Sequence, residues 1–353
     1  MSTLNSSRRS FLKLIGLGAS AALIGGATGF TAAWSLPEAS DTPDWGHDDI
    51  PQQHGRRVVI TGGNGFPQDG RSGLGYHQAL GLASAGANVI IASRNQQRGK
   101  EAVRRILEQA PAATVRFEPL DLTSLTSIAS FADRLKSSVG GLDLLINNAG
   151  VMARTNRETS VDGFERTFAT NALGPFALSA QLLSLLRRGQ DARIVWMASM
   201  RGHGGMINLD DLQKERTYDY GRAYDDTKLA NLLMAFECDR RSRAAGWGVT
   251  SIAAHPGVAR TNIVLDGPGP DTPEGWRFRF IPMMWEDPAQ AALPILYAGT
   301  SPQAHGGGYY GPQGVGGITG SPGVTSVPSN AQDPDLATAL WDALEQLGKT
   351  SFG

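Results

Sequence analysis

The stretch RRVVITG, residues 56–62, decides the fold, because it predicts a buried strand that runs directly into a glycine turn. More glycines follow, notably in SGLG at residues 72–75. An amphipathic helical pattern then covers residues 76–85, and a second apolar strand, NVIIA, covers residues 88–92. In such a strand–helix–strand unit the glycines of the first turn let the backbone approach a pyrophosphate, and the helix N-terminus supplies N–H donors. The pattern therefore predicts a dinucleotide site at this first turn.

The end of the second strand indicates which dinucleotide would bind. An Asp or Glu there would accept hydrogen bonds from the ribose hydroxyls and favour NAD(H). This chain has Ser93, Arg94 and Asn95 instead. The planar guanidinium of Arg94 suits a 2′-phosphate, so the sequence favours NADP(H) over NAD(H). A solvated arginine at a strand end is the alternative interpretation.

Three more apolar segments have the length and the ending of strands. They are VRFEPLDL at residues 115–122, LDLLINNAG at residues 142–150, and RIVWMAS at residues 193–199, with Ser199 at its end. Alternating strands and helices predict an α/β fold with one doubly wound parallel sheet and helices on both faces. Ligands of such open sheets bind at the carboxyl ends of the strands, where these segments become polar.

A tyrosine and a lysine one helical turn apart predict acid–base chemistry. Tyr224 and Lys228 are i and i+4 in a helical pattern, so they share one helix face. A phenol titrates near pH ~10 in model peptides, and a nearby ammonium lowers that pKa by favouring the phenolate. Ser199 would hold a carbonyl oxygen against Tyr224. Such a pair alone is common on helix surfaces, but its place after a dinucleotide fold and a strand-end serine indicates a proton donor and acceptor.

These motifs, in this order and spacing, resemble the short-chain dehydrogenase/reductase family over roughly residues 56–345. The matching residues are Thr61, Gly62, Gly73, Leu74, Gly75, Asp121, Leu122, Asn147, Asn148, Ala149, Gly150, Asn171, Ser199, Tyr224, Lys228, Pro256 and Gly257. The resemblance implies a Rossmann-type fold and hydride transfer between a nicotinamide and an alcohol or carbonyl group. It also implies a homodimer or homotetramer, and the sequence leaves that choice open.

The resemblance also implies a role for each matching residue. Tyr224 would donate and accept the proton, Lys228 would lower its pKa and bind the nicotinamide ribose, and Ser199 would polarise the substrate carbonyl. Asn171 would support a helix and a water in the proton relay. Further cofactor contacts would come from Thr61, Gly62, Ser72, Gly73, Leu74, Gly75 and Arg94 near the phosphates, from Asp121, Leu122, Asn148, Ala149 and Gly150 at the adenosine, and from Pro256, Gly257, Val258 and Thr261 at the nicotinamide.

Two other stretches narrow the resemblance to a subgroup. TNALGPF at residues 170–176 and GYYGP at residues 308–312 are similar to those of retinol-dehydrogenase-like and protochlorophyllide-reductase-like members. Such relatives usually act on apolar alcohols, aldehydes or ketones with NADP(H). The resemblance therefore implies a small apolar alcohol, aldehyde or ketone as the substrate.

One segment departs from the family pattern. Residues 65–71, GFPQDGR, separate Asn64 from Ser72, which are neighbours in the usual glycine loop. Two arrangements are open: the insertion bulges outward, or it folds over the cofactor with Arg71 at a phosphate. The contribution of the glycines just before the insertion depends on which arrangement is adopted.

Residues 1–33 predict a targeting segment outside the fold. SRRSFLK at residues 7–13 resembles a twin-arginine signal, and a mildly apolar stretch rich in Gly and Ala follows. An uncleaved membrane anchor is the alternative, because the stretch approaches the ~20 residues that span a bilayer. The resemblance implies the twin-arginine export machinery as a partner, an exported protein, and a nucleotide bound before export. Residues 34–55 then form a polar linker, and residues 56–353 the catalytic domain.

Within the catalytic domain, residues 262–286 predict the substrate loop. The segment contains Trp276, Phe278, Phe280 and Trp285, which favours an apolar substrate and a lid that closes over it. A helix that packs on the core or on a dimer partner is the alternative.

The composition excludes other classes of protein. A chain that is 41% hydrophobic and 18% charged is ordinary for a globular fold, and a formal net charge of -1 offers no basic surplus for a nucleic acid. The single cysteine, Cys238, is predicted to be a packed core thiol. His203 and His255 lack further ligands at suitable spacing, so no metal site is predicted.

Two other functions stay open. A dinucleotide-binding protein without turnover would fit the predicted export, because an exported enzyme exchanges spent cofactor with difficulty. A nucleotide-sugar epimerase fits less well, because the chain after Lys228 is short for the substrate domain of such enzymes.

Overall fold

The computed structural model describes residues 44–281 and 285–352. The predicted signal or anchor at residues 1–33 and the first ten residues of the predicted linker lie outside these residues. The end of the predicted linker packs on the domain, with Trp45 edge-on to Tyr297 at 5.4 Å and Ile50 buried. The fold therefore includes residues before the first strand. No helix within the described residues is both long and apolar enough to cross a membrane.

The described chain forms one eight-stranded sheet with the order β3-β2-β1-β4-β5-β6-β7-β8. Its strands are β1 (Arg57–Thr61), β2 (Asn88–Ser93), β3 (Thr114–Pro119), β4 (Leu144–Asn147), β5 (Arg193–Met197), β6 (Thr250–Ala254), β7 (Tyr309–Pro312) and β8 (Pro322–Val324). All neighbours pair in parallel except β7 and β8, which are antiparallel. This is the strand order of a Rossmann-type fold, so the predicted fold class is confirmed.

Helices cover both faces of the sheet. The main helices are α1 (Leu74–Ser84), α2 (Gln96–Gln109), α3 (Leu125–Ser138), α4 (Gly174–Leu186), α5 (Tyr220–Ala245), α6 (Ile263–Asp266), α7 (Pro273–Phe280), α8 (Pro288–Ala291), α9 (Leu293–Thr300) and α10 (Pro334–Gly348). Helices α3, α4, α5 and α10 enclose one apolar core cluster, and α1, α2 and α9 enclose another. Because both faces are covered, the central strands are apolar throughout, as Val58, Val59 and Ile60 of β1 show with 0% exposure.

The sheet topology positions the site. Strands β1 and β4 are neighbours, and the chain proceeds outward from this pair in opposite directions, toward β3 and toward β8. Loops that follow the two strands therefore separate and leave a crevice at the carboxyl edge of the sheet. The glycine loop after β1 and the polar segment after β4 border this crevice.

Helix α5 has clear boundaries. The Asp219 side chain accepts a hydrogen bond from Arg222 N at 2.7 Å and caps the helix N-terminus, and Gly246 ends it with a φ of 65°. The helix begins four residues before Tyr224, so Tyr224 lies in its second turn and Lys228 in its third.

Candidate active site

A cavity of about 870 Å³ occupies the crevice at the carboxyl edge of the sheet. Most of the residues predicted from the sequence line it: Gly62, Ser72, Gly73, Leu74, Arg94, Asp121, Leu122, Asn148, Ala149, Gly150, Ser199, Tyr224, Lys228, Pro256, Gly257, Val258 and Thr261. Three predicted residues, Thr61, Gly75 and Asn171, lie behind the cavity wall instead. One cavity thus joins the predicted dinucleotide and catalytic residues.

The glycine turn after β1 is held by close backbone contacts. Gly62 has a φ of 75°, and a Cβ there would lie 3.0 Å from Ala149 Cα. A Cβ on Gly75 would lie 2.5 Å from Asn148 Nδ2. Thr61 connects the two loops, because its Oγ1 accepts a hydrogen bond from Ala149 N at 2.9 Å and its carbonyl accepts one from Asn148 Nδ2 at 2.7 Å. Thr61 and Gly75 therefore shape the cavity without lining it.

The inserted segment forms a short hairpin. Gln68 and Arg71 exchange two backbone hydrogen bonds at 2.9 and 3.0 Å, and Gly73 N donates to Gly65 O at 2.6 Å. Asp69 and Gly70 both have positive φ values, as a two-residue type I′ turn requires. The hairpin packs beside α2, and Phe66 rather than Arg71 lines the cavity.

The end of β2 supplies polar groups to one region of the cavity. Ser93 is only 7% exposed, and its Oγ has no hydrogen-bond partner within the described residues. Arg94 and Arg98 line the cavity beside it, and Asn95 caps α2 by accepting from Arg98 N at 2.9 Å. An unpartnered hydroxyl beside two guanidinium groups suits an anion such as a phosphate.

The acid–base pair lies deep in the cavity. Tyr224 is 8% exposed and Lys228 is 2% exposed, and Lys228 Nζ lies 5.5 Å from the centroid of the tyrosine ring. Burial raises the pKa of Tyr224 to about 12, while the nearby Ser199 hydroxyl and the charge of Arg201 act in the opposite direction. Burial lowers the pKa of Lys228 to about 7. The lowering of the Tyr224 pKa by Lys228 stays a prediction from the family resemblance.

Lys228 is oriented by the end of β5. Its Nζ donates a hydrogen bond to the Met197 carbonyl at 2.8 Å, and Asn231 Nδ2 donates to the same carbonyl at 2.9 Å. Ser199, two residues beyond Met197, starts a short 3₁₀ helix, and its hydroxyl accepts from Arg201 N at 3.2 Å. The strand end therefore positions both the lysine and the serine.

Asn171 has a positioning role in this geometry. It lies in a π-helical segment, Ala169–Leu173, that precedes α4. Its side chain accepts from Val151 N at 2.8 Å and donates to Val151 O at 2.9 Å and to Thr227 Oγ1 at 3.1 Å. Asn171 thus connects the segment after β4 to the residue next to Lys228. The predicted role in a water relay stays a prediction.

The turn after β6 closes the cavity near the active site. Gly257 has a φ of 70° and donates its N–H to His255 Nδ1 at 3.2 Å. Burial lowers the pKa of His255 to about 3, so the ring is neutral and serves as an acceptor. This hydrogen bond holds the turn that bears Pro256, Gly257 and Val258.

The predicted substrate loop contributes an apolar wall beside Tyr224. Met152, Tyr224, Val264 and Phe278 form a small buried cluster, against which Ile263, Leu265 and Trp285 pack. The other side of α7 is open, because Trp276 is 57% exposed and Phe280 is 56% exposed. Residues 282–284 of this loop lie outside the described residues.

Sequence reasoning missed several charged residues of the cavity. Arg201 lines it and forms an ion pair with Asp225, the neighbour of Tyr224, with Nη2 3.1 Å from Oδ2. Glu274 and Arg277 of α7 line it as well. The proximity of Arg201 to Ser199 in the sequence was an available signal. Glu274 and Arg277 lie in the predicted substrate loop, where only the apolar residues were singled out.

Two further predictions were that the chain has no metal site and that the Cys238 thiol is packed in the core. Within the described ranges, no group of three or more His, Cys, Asp or Glu side chains is placed to bind a metal ion. Cys238 is fully buried on α5, and burial raises the pKa of its thiol to about 12. The thiol is therefore a core side chain, as the sequence predicted.

Comparisons with known proteins identify the family. A family model described as short chain dehydrogenase matches residues 56–211. Polyprenol dehydrogenase of Danio rerio is 34% identical over 298 residues, which cover 83% of this chain and 86% of the relative. Retinol dehydrogenase 14 of Homo sapiens is 35% identical over 312 residues, which cover 83% of this chain and 86% of the relative.

Solved structures agree with this result. The crystal structure of an uncharacterized protein from Mycobacterium Paratuberculosis is 38% identical, with a TM-score of 0.72 over 88% of this chain and 100% of that chain. Pseudomonas aeruginosa RhlG, solved with NADP, covers 72% of this chain and 94% of its own with a TM-score of 0.57, and at 22% identity it shows the shared fold alone. The chain belongs to the short-chain dehydrogenase family, and the prediction of an enzyme that acts on alcohol or carbonyl groups with a nicotinamide dinucleotide is confirmed.

Proposed function

We propose that this protein is an NADP(H)-dependent oxidoreductase that acts on an apolar alcohol, aldehyde or ketone. One observation carries the proposal: Tyr224, Ser199 and Lys228 line the same cavity as the glycine turn and Arg94. An acid–base group and a dinucleotide site must share a cavity if a proton and a hydride are to reach the same substrate carbon–oxygen bond.

The preference for NADP(H) rests on the end of β2. The cavity contains no carboxylate at residues 93–95, and it offers the Ser93 hydroxyl together with Arg94 and Arg98. A 2′-phosphate would give the buried Ser93 Oγ a hydrogen-bond partner and would pair with the guanidinium groups. Gly62 and Gly73 leave room for the phosphates to approach the backbone.

The chain's own residues would handle the proton. The cofactor supplies or accepts the hydride when it is bound. Because burial keeps Tyr224 protonated at neutral pH, the phenol would donate its proton to the carbonyl oxygen during reduction. Ser199 would donate a hydrogen bond to the same oxygen and hold it against the phenol. In the oxidative direction the phenolate is required, so we expect that rate to increase with pH.

The apolar substrate class rests on the cluster around Tyr224. Met152, Val264 and Trp285 line the cavity there, and burial of apolar surface against them would supply binding energy. The similar polyprenol and retinol dehydrogenases carry apolar alcohols in their names. The charge of Arg201 would not make the site strongly polar, because Asp225 neutralises that charge in an ion pair.

We extend the proposal to the cell compartment. The twin-arginine-like residues 7–13 support export of the folded protein, with the nucleotide bound beforehand.

A tyrosine substitution tests the enzymatic part of the proposal. We expect Tyr224→Phe to reduce NADPH-dependent turnover of apolar aldehydes and ketones by a factor of at least about 100, because the proton donor is lost. The dissociation constant for NADPH should change by less than about threefold. Turnover is measured by the loss of NADPH absorbance, and binding by calorimetry.

Tyr218→Phe is the matched control for this test. Its hydroxyl donates to the Arg154 carbonyl at 2.9 Å, outside the cavity lining, so loss of this phenol should leave turnover unchanged. Full activity of Tyr224→Phe would refute the catalytic assignment. Tight NADPH binding by the wild type without turnover of any carbonyl in the panel would instead support a dinucleotide-binding protein that is not an enzyme.

A further inference from the structure

The inserted hairpin contacts the same helix that carries Arg98. The Phe66 side chain is 8% exposed and packs with the core residues of this face of the sheet. Two guanidinium groups lie against its ring, that of Arg98 at 4.6 Å and that of Arg105 at 4.2 Å from the centroid. Both distances are within the range of a cation–π interaction.

Hydrogen bonds to the two residues that follow Phe66 reinforce this contact. Arg105 Nη1 donates to the Pro67 carbonyl at 3.1 Å, and Arg98 Nη1 donates to Gln68 Oε1 at 3.4 Å. Arg105 is also held from its own helix, because its Nε donates to Glu101 Oε1 at 2.7 Å. The hairpin is thus attached to α2 at two positions seven residues apart, on one face of the helix.

The two arginines differ in what they face. Arg98 lines the cavity together with Phe66, Ser93 and Arg94, whereas Arg105 is absent from the cavity lining in the described residues. An arginine side chain loses conformational entropy when it is ordered against a ligand. A ring that already holds Arg98 would reduce that cost before the ligand arrives.

We propose that the hairpin at residues 65–73 completes a phosphate subsite formed by Ser93, Arg94 and Arg98, in which Phe66 is the positioning residue for Arg98. The ligand is the 2′-phosphate of an adenosine nucleotide, so the inference rests on the proposed preference for NADP(H). The buried Ser93 hydroxyl, which has no hydrogen-bond partner in the described part of the chain, is an independent sign that this place suits an anion.

Two small nucleotides test this subsite without any catalytic readout. Adenosine 2′,5′-bisphosphate and adenosine 5′-phosphate differ only in the 2′-phosphate, so the ratio of their dissociation constants measures the subsite alone. We expect the wild type to prefer the bisphosphate by at least about tenfold, as a charge-assisted bidentate contact would give. Calorimetry on the full chain provides both constants.

Substitutions at Phe66 separate positioning from simple packing. Phe66→Leu keeps an apolar side chain in the core but removes the aromatic face, and it should decrease the preference about fivefold with little change in adenosine 5′-phosphate binding. Phe66→Tyr keeps the ring and should retain the preference. Arg98→Ala should decrease the preference at least as much as Phe66→Leu.

Lys100→Ala is the matched control for charge. Lys100 is an exposed cation on the same helix and lies outside the cavity lining, so its loss should change both affinities by less than about twofold. Circular dichroism and the melting temperature verify that each variant is folded.

The outcomes distinguish the two proposals. Equal affinity of the wild type for the two nucleotides would refute the proposed NADP(H) preference and the subsite with it. A wild-type preference that Phe66→Leu retains in full would refute the hairpin's role and leave the NADP(H) proposal intact. A loss of affinity for both nucleotides in Phe66→Leu would assign the hairpin to the shape of the glycine loop, which also contradicts the inference.

Discussion

Burial shifts the pKa values of two active-site side chains, in each case toward the uncharged form. Burial disfavours the charged form of each, and it therefore raises the pKa of the Tyr224 phenol to about 12 and lowers that of the Lys228 ammonium to about 7. The single hydrogen bond from Lys228 to the Met197 carbonyl does not offset the lost hydration. An active site prepared in this way holds a proton on the tyrosine and offers a lysine that is easily charged.

The buried lysine makes stability depend on pH. An unfolded lysine titrates near 10.5, so between about pH 7 and pH 10.5 the unfolded chain carries a proton that the folded protein lacks. The free energy of unfolding must therefore rise with pH in this range. Lys228→Met removes the titrating group. Between about pH 7 and pH 9.5, we expect the free energy of unfolding of the wild type to increase by about 2–3 kcal/mol more than that of this variant.

Urea unfolding of the protein without added nucleotide, at the two pH values, measures this difference. Lys100→Met is the control, because Lys100 is exposed on α2 and its removal should leave the pH dependence of unfolding unchanged. If wild type and Lys228→Met respond identically to pH, then Lys228 keeps an ordinary pKa in the folded protein, and the account of its burial is wrong.

Helix α1 illustrates how an element places the dinucleotide site. Its first turn contains Gly75, where a Cβ would lie 2.5 Å from Asn148 Nδ2 and 3.0 Å from the Gly62 carbonyl. The helix can therefore approach the loops after β1 and β4 only because this residue has no side chain. We expect Gly75→Ala to decrease the free energy of unfolding by about 1–3 kcal/mol, since backbone and helix must separate.

Gly81→Ala in the same helix provides the contrast. Its Cβ would meet the ends of two side chains, Ile50 Cδ1 at 3.2 Å and Leu296 Cδ1 at 3.3 Å, which can move. Alanine is also favoured over glycine within a helix by up to ~1 kcal/mol, so this variant should be close to the wild type or more stable. Urea unfolding of both variants measures the two changes in the free energy of unfolding. Equal destabilisation would show that general crowding, rather than the approach of α1 to the nucleotide loops, determines the effect.

The elements also show what the sequence can predict. The strands β1, β2, β4 and β5 were expected at nearly their observed positions, because a strand buried on both faces requires a continuous apolar run. The glycine turn and the helical pair were expected because their chemistry depends on spacing within one element. Strands β7 and β8 were not assigned, since their glycines and prolines obscure the pattern.

Contacts between distant segments were beyond the reach of pattern reasoning. Whether the insertion would bulge outward or fold over the cofactor depended on Phe66 meeting Arg98, 32 residues later, and the observed answer is a hairpin attached to α2. The hydrogen bonds of Asn171 to Val151 and Thr227 likewise join three segments. Such contacts depend on how elements pack, and no local propensity encodes them.

At the scale of the whole molecule, the domain is built so that folding and nucleotide binding are coupled. The cavity lies between the loops that follow the six strands β1 to β6, so its shape exists only when the sheet is assembled. A ligand that binds only the folded state stabilises it, by about 2.7 kcal/mol at a concentration 100 times its dissociation constant. A protein that is folded before export would therefore cross the membrane in its most stable form if the nucleotide is already bound.

This order of events predicts the fate of a signal variant. Replacement of Arg8 and Arg9 by lysine keeps the charge but changes the motif, and we expect the full chain to remain in the cytoplasm while the wild type is exported. Fractionation of the producing cells measures how the protein is distributed between the cytoplasm and the exported fraction.

Heat release and identification of the bound nucleotide, applied to the exported wild type, should yield NADP(H). Tyr224→Phe is the control, since it should be exported and loaded like the wild type. Export of the double-lysine variant at the wild-type level would refute the twin-arginine route, whereas exported wild-type protein without nucleotide would refute loading before export and leave the route intact.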